Sequence, residues 1–378
     1  MIPKKNTNSR DVVTARGPKN VVDPRVPYAF LVEPERSAAG TVDDVATIFL
    51  TNKECPFHCL YCDLWKNTTD ERLPVGVIPA QIDYALERLC LAQAVKLYNS
   101  GNFFDAQAIP PEDYPAIARR VARFRTVIVE NHPNLCGSAC VEFRDLLAAV
   151  GAGGPRRTGQ SASRSLEMLA PPSPALPPRG GEGESHAIAA QGVDDRGSSF
   201  SSVAAPLSAT AQLEVALGLE TVHPDILPRL NKRMTLDDFR HAAEFLRSND
   251  IAVRAFILLK PPFIRDDECV DWAVKSLEFA FDCGARVCSV IPTRGGNGIM
   301  EQLQAAGQFA PPRLESLEAV LEAGLRMGRG RVFVDLWDVE RFCECSLCGP
   351  ARAARLRTMN LNQTILPRVV CCCSTNVS

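Results

Sequence analysis

Cys55-Pro-Phe-His-Cys59-Leu-Tyr-Cys62 sets three thiols at C-x3-C-x2-C spacing. Three thiolates on one tight loop can hold three corners of a cubane iron–sulfur cluster and leave the fourth iron without a protein ligand. An open iron is what chemistry requires, because a small molecule can then bind through its amino and carboxylate groups. A zinc ion would call for a fourth protein ligand, and His58, inside so short a loop, is expected to point elsewhere. Structural zinc and plain core cysteines are the competing readings of the same three residues.

A second group follows near the end of the chain, Cys343-Glu-Cys345-Ser-Leu-Cys348 and then Cys371-Cys372-Cys373. Cys345-x2-Cys348 is a metal knuckle, and the gap to the terminal cysteines is close to that of paired zinc knuckles. The predicted ligands are Cys345, Cys348, Cys371 and Cys373, for zinc or an auxiliary iron–sulfur cluster; sulfur donors alone do not choose between them. A tail of reduced thiols is the alternative. Arg352, Arg355 and Arg357 between the two halves read as a small basic patch or a solvated helix face. Cys90, Cys269, Cys283 and Cys288 lie in apolar periodic segments and read as core residues.

Nine of the 15 cysteines therefore lie in two places. Met1 to Arg25 is polar with no apolar leader core, and no stretch approaches a membrane span. A cytoplasmic chain is expected, in which clustered cysteines are metal ligands rather than disulfides. The net charge of −2 supplies no global attraction to nucleic acid or anionic lipid. Any RNA contact would come from a local patch. At 378 residues and 46% hydrophobic, the chain suits one large α/β domain or two ordinary ones.

The elements that must position these groups alternate. Val45–Leu50 is a β-branched run that feeds directly into the first cysteine loop. Ile82, Ala85, Leu86 and Leu89 have helical spacing. Strands are predicted at Val95–Tyr98, Thr126–Glu130, Leu213–Leu217, Ala252–Leu259, Arg286–Ile291 and Arg331–Leu336. A helix opens at Pro111, and Thr235 with Asp238 has the spacing of a capping box. This rhythm predicts a parallel sheet with right-handed crossovers, a complete or partial (β/α) barrel. The polar and glycine-rich segments follow the strand ends, where barrels build their sites. Residues 1–40 read as a flexible arm, 41–340 as the core and 341–378 as a Cys-rich metal-binding extension. About 151–210 is dense in Gly, Pro, Ser and Ala and reads as a disordered insertion, with a domain boundary as the alternative.

The cysteine loop resembles the signature of the radical S-adenosylmethionine (SAM) superfamily, over about residues 45–340 without the insertion. Tyr61 is in the aromatic position that the superfamily places near the SAM adenine. Tyr98-Asn99-Ser100-Gly101 stands where members carry a glycine-rich turn for the SAM amino group, although it departs from the usual Gly-Gly-Glu. Glu130 resembles a polar residue used toward SAM. Gly218-Leu-Glu220 with Leu230-Asn-Lys232-Arg233-Met234 resembles the Elongator-catalytic-subunit and methylthiotransferase branch. Lys260-Pro261-Pro262-Phe263 and Ile291-Pro292-Thr293 look most like the radical-SAM component of archaeosine synthase and its bacterial relatives. The resemblance implies a [4Fe–4S] cluster on Cys55, Cys59 and Cys62, reductive cleavage of SAM, and hydrogen abstraction by a 5′-deoxyadenosyl radical. It also implies an electron donor such as flavodoxin or ferredoxin.

From the residues themselves, Asn131, His132, Glu220 and Lys260 are polar at strand ends and are candidate substrate-facing groups. His132, Glu220 and Lys260 are the predicted catalytic set, against the alternative of loop-fixing hydrogen bonds or a structurally paired lysine. The expected substrate is a small molecule or modified nucleoside, with RNA as a further candidate and no membrane partner. The competing functional readings are a non-catalytic metal-binding or RNA-binding module, and an inactive relative whose insertion disables the barrel.

Overall fold

The computed structural model describes residues 9–153 and 210–371; the predicted insertion, Cys372 and Cys373 lie outside the described residues. Helix α1 (Ser9–Thr14) and strand β1 (Ala29–Arg36) precede β2 (Val42–Phe49). The alternation then runs α2 (Val77–Leu86), β3 (Ala94–Tyr98), α3 (Tyr114–Val121), β4 (Thr126–Asn131) and α4 (Ser138–Gly153). It resumes with β5 (Gln212–Glu220), α5 (Leu236–Ser248), β6 (Ala252–Leu259), α6 (Cys269–Asp282) and β7 (Val287–Pro292). Helices α7 (Ile299–Ala305) and α8 (Leu314–Met327), strand β8 (Arg331–Val334) and helix α9 (Gly349–Asn362) complete it.

The eight strands form one sheet in chain order, β1 to β8, with β1 antiparallel to β2 and every later pair parallel. The architecture is the partial form of the expected barrel, with β1 and β8 as its edges. The inner strands are near-continuous apolar runs because the sheet is covered on both faces. Ile48, Leu97, Val129, Val215, Ile257 and Val290 are all fully buried. The capping box at α5 is formed, Thr235 accepting from the Asp238 N–H and Asp238 accepting from the Thr235 N–H.

Three expectations change. Residues 1–40 are not a loose arm over the described part. Ala29–Arg36 pairs along its whole length with Phe49 to Val42. Its Pro34 is compatible with an edge strand, which need not donate on both sides. Further upstream, Arg16 bonds Glu54 at 2.5 Å and lies over the Trp65 ring. The basic patch expected of Arg352 and Arg355 is instead buried. Arg352 pairs with Glu315 and Glu318, Arg355 with Glu318 and with Glu322 at 2.8 Å, and only Arg357 faces solvent. These pairs bind α9 to α8, so this part of the C-terminal extension belongs to the barrel. Finally, Cys269, Cys283 and Cys288 are core residues as expected, but Cys90 is exposed.

Helix α9 also manages the free edge at β8. The Gln363 side chain accepts from the Val332 N–H at 2.8 Å and donates to its carbonyl at 2.9 Å. Asn360 does the same to Val334, at 3.0 and 2.8 Å. Two amide side chains thus take the place of a ninth strand. Inside the barrel, toward the strand N-termini, Arg254 donates to Glu214 and Glu35, both at 2.6 Å, and Lys96 lies 2.7 Å from Glu35. This buried ionic plug stands opposite the end that carries the cysteine loop. Among the described residues no helix is long and apolar enough to cross a membrane.

Candidate cluster and cofactor site

The loop carrying Cys55, Cys59 and Cys62 leaves the carboxyl end of β2 and is held by three asparagines from other strand ends. Asn102, after β3, donates to Cys55 Sγ at 3.3 Å. Asn231, after β5, donates to the His58 carbonyl at 2.7 Å. Asn297, after β7, donates to the carbonyls of Leu60 at 2.8 Å and Cys62 at 3.1 Å. The Leu60 N–H bonds the Leu230 carbonyl at 2.9 Å. His58 adopts a left-handed backbone conformation, φ 51°, and its Nε2 lies 3.6 Å from Glu54. It points toward Glu54, as the short loop suggested.

Burial pushes all three thiols up, Cys59 to about 11, so metal uptake would release protons. The three thiols do not gather round one point. Among the described residues, the group whose metal-binding atoms all lie within 4.8 Å of one another is Cys345, Cys348 and Cys371. Sulfurs around one tetrahedral zinc sit about 3.8 Å apart, from a Zn–S bond of about 2.3 Å. The C-terminal trio therefore suits a single ion. The loop trio is spread wider than that. Cys343 bonds the Cys345 carbonyl at 3.2 Å, and burial with the two neighbouring thiols pushes Cys348 up to about 12.

Beside the loop, the turn Asn99–Gly101 is built around Glu130 at the end of β4. Its carboxylate accepts from the Asn99 N–H at 2.6 Å and the Gly101 N–H at 3.3 Å. Burial raises Glu130 to about 7, against the pull of these N–H groups. Ser100, at φ 53°, donates to the Tyr28 hydroxyl at 3.0 Å. A Cβ on Gly101 would lie 3.1 Å from Cys55 Cβ, so glycine is what lets the turn approach the cysteine loop. Asn99 is fully buried, yet neither its Oδ1 nor its Nδ2 has a hydrogen-bond partner. A buried amide orphaned at both ends fits a polar ligand beside the loop.

The remaining candidates divide. Glu220 ends β5 at a bulge and bonds Lys232 Nζ at 2.6 Å. Burial and the neighbouring Glu220 carboxylate push the Tyr61 hydroxyl well above its ordinary range. His132 is committed at both ring nitrogens. Its Nε2 donates to the Lys232 carbonyl at 2.9 Å and its Nδ1 accepts from the Asn134 N–H at 3.1 Å. Its ring stacks on Phe57 of the cysteine loop, centroids 3.8 Å apart. Asn131 is spent on the Phe104 N–H and the His132 carbonyl. Lys260 is not gathered with this group; its ammonium pairs with Asp266 and the Pro311 carbonyl. The polar atoms of His132 and Lys260, both in the predicted catalytic set, are thus engaged with protein partners. Lys232, Asn102, Asn231 and Asn297 were not predicted as site residues, although Asn102 and Asn297 fall within the polar segments that follow the strands, and Asn231 and Lys232 within the segment that carries the family resemblance.

Burial lowers His132 to about 4. Below pH about 6.5 the unfolded chain takes up a proton that the folded site refuses. The stability this group contributes is therefore complete above that pH and is lost as pH falls toward 4. Denaturation midpoints across pH 7.5 to 4.5 are expected to fall less steeply in His132→Gln than in the parent. Equal slopes would show that the ring is not held neutral.

No protein-family model matches the chain. It is 31% identical over 235 residues to archaeosine synthase subunit beta of Methanosarcina acetivorans, covering 60% of this chain and 49% of that one. The Thermococcus kodakarensis subunit is 32% identical over 109 residues, 29% of this chain and 34% of that. The chain thus spans at most about half the length of these two subunits. Uncharacterized protein MJ0550 of Methanocaldococcus jannaschii is 20% identical over 319 residues, covering 80% of this chain and 71% of that one. Solved structures with similar folds include Elp3 of Methanocaldococcus infernus, at TM-score 0.44 and 12% identity, over 84% of this chain and 63% of that. Methylornithine synthase is another, at TM-score 0.44 and 10% identity over 84% of this chain and 70% of that. Cys55, Cys59 and Cys62 with the orphaned Asn99 fit the [4Fe–4S] cluster and SAM that the resemblance of the cysteine loop implies.

Proposed function

We propose that the chain is an enzyme that cleaves SAM reductively at a cluster held by Cys55, Cys59 and Cys62 and abstracts hydrogen from a modified nucleoside, free or within RNA. The observation that carries this reading is the pairing of a three-thiol loop, with its histidine turned to Glu54, and an unpartnered buried amide at Asn99. When bound, the reduced cluster supplies the electron that breaks a carbon–sulfur bond of SAM and yields a 5′-deoxyadenosyl radical.

The chain's own residues bind and orient. The turn Asn99–Gly101, stiffened by Glu130, offers an amide side chain to the amino acid end of SAM. Tyr61, within the cysteine loop, offers its ring to the adenine end. Leu50 and Leu60, both fully buried, exclude water from the root of the loop. A flavodoxin or ferredoxin is the proposed electron donor. The nucleoside assignment rests on the likeness to subunits named for archaeosine synthesis, with the net charge of −2 leaving RNA contact to local basic groups. A structural metal module would close its ligand set, and this loop supplies no fourth ligand of its own.

Anaerobic reconstitution with iron and sulfide, followed by SAM and dithionite, is expected to yield 5′-deoxyadenosine and methionine. A fully loaded protein that releases neither overturns the assignment. Deuterium transfer from labelled modified nucleosides into 5′-deoxyadenosine then identifies the substrate class.

A further inference from the structure

Residues 9–20 lie across the cysteine loop and touch both of its stems. Arg16 Nη1 is 2.5 Å and Lys19 Nζ 2.8 Å from the carboxylate of Glu54, the residue before Cys55. The Arg16 guanidinium lies over the Trp65 ring, 4.6 Å from its centroid, and the Asn20 N–H donates to the Lys66 carbonyl at 2.8 Å. Trp65 and Lys66 follow closely on Cys62. The same segment reaches two of the asparagine anchors. Asn231, which holds the His58 carbonyl, also donates to the Ser9 hydroxyl at 3.0 Å. A Cβ on Gly298, next to Asn297, would stand 1.9 Å from the Ala15 carbonyl oxygen, so the end of α1 lies directly on that backbone.

The seat of this segment is weak. Helix α1 has six residues, too few to hold a helix without tertiary support. Its buried side chain is Val12. The Lys19 and Glu54 side chains stay 24% and 19% exposed, so water and salt reach their contact. Arg16 Nε, His58 Nδ1 and Trp65 Nε1 are buried around it with no hydrogen-bond partner, which lowers the gain from closing it. A segment with little buried apolar surface and solvent-reached polar contacts opens at a free energy far below that of global unfolding.

Resting on the cluster assignment proposed for Cys55, Cys59 and Cys62, we propose that residues 9–20 are a strap that opens independently of the barrel and, when closed, retains the cluster by fixing both stems of its loop. Val12 and Arg16 are its positioning residues. Val12 seats the strap on the core, and Arg16 carries its hold to Glu54 on one stem and Trp65 on the other. Opening frees both stems at once and leaves the loop to its asparagine anchors. Groups behind the ligands govern metal retention in this way, each by about 10–100-fold.

The test is anaerobic transfer of iron from the reconstituted full chain to excess bathophenanthroline disulfonate, followed by absorbance. Val12→Asp unseats the strap and is expected to release iron about tenfold faster than the parent. Val12→Ile keeps the seat and is expected to match the parent. Arg16→Gln leaves Val12 in place, is expected to release iron faster as well, and serves if Val12→Asp does not fold. The urea midpoint of Arg16→Gln, read by far-ultraviolet circular dichroism, is expected to stay with the parent, which separates strap opening from general destabilisation. Hydrogen exchange in the metal-free chain gives a second reading: residues 54–66 exchange faster in Arg16→Gln, while β5 and β6 do not change. Parental iron release by Val12→Asp and Arg16→Gln overturns the inference, as does faster release matched by a lower urea midpoint. A parent chain that takes up no cluster overturns the cluster assignment instead, a result seen before any transfer is measured. Exchange at residues 54–66 then still decides whether the strap closes the loop.

Discussion

Replacing Cys59 with alanine is expected to abolish 5′-deoxyadenosine formation and to leave the reconstituted protein with little bound iron. Cys59 is the middle ligand of a loop that offers three thiols, and the loop has no substitute. His58 is turned to Glu54, and Asn231 holds the His58 carbonyl in place. The loss should exceed the ~10–100-fold that removal of an outer partner costs a metal site. Asn102→Ala, which deletes the amide on Cys55 Sγ, supplies that lesser effect for comparison. Iron and sulfide content together with chromatographic detection of 5′-deoxyadenosine read both variants. Cys348→Ser gives the complementary result, less bound metal at the C-terminus with product formation from the loop cluster retained. A Cys59→Ala protein with parental product would move the cluster elsewhere.

Arg254→Met is expected to destabilise the fold by about 3–5 kcal/mol at neutral pH, the usual cost of removing one member of a buried ionic group. Arg254 is 3% exposed and serves two carboxylates, Glu214 and Glu35, each at 2.6 Å. Without it both remain buried, with Lys96 alone beside Glu35. The deficit should depend on pH in a defined direction. Burial pushes the Glu35 carboxyl up, but Arg254 and Lys96 outweigh that and hold it well below the ordinary carboxylate range. A depressed carboxylate contributes stability above its unfolded pKa, about 4.5, and loses that contribution as pH falls below it. Parent and variant should therefore converge in acid. Urea denaturation at pH 7 and pH 4 measures the difference, and a deficit that stays constant would show that Glu35 is not the group left unpaired.

Much of the site is legible in the amino-acid sequence. The cysteine loop is local: thiols at C-x3-C-x2-C share one loop whatever surrounds them. Strand runs such as Ala252–Leu259 and the Thr235–Asp238 capping box are likewise set by a few adjacent residues, and both are present in the folded chain. Polar strand ends on a β/α series place Asn99, Glu130 and Glu220 on one edge, because parallel strands share their direction. The N-terminal strand is not legible in the same way. Ala29–Arg36 carries Pro34 and mixed polarity, and its strand character comes from pairing with β2 rather than from its own pattern.

Partners settle the rest. His132 and Lys260 look free for chemistry in a sequence, since nothing local reveals that the Lys232 carbonyl, 100 positions away, takes one, and Pro311 and Asp266 take the other. Arg352 and Arg355 look solvated until α8 brings Glu318 and Glu322 against them. Lys232 meets Glu220 only when β5 bulges over Gly218. The sequence by itself determined the spacing of the loop thiols, the order of strands and the edge on which they converge, because spacing and periodicity are covalent and local. Tertiary structure alone decided which polar groups remain available, since a side chain's availability depends on every group the fold sets beside it.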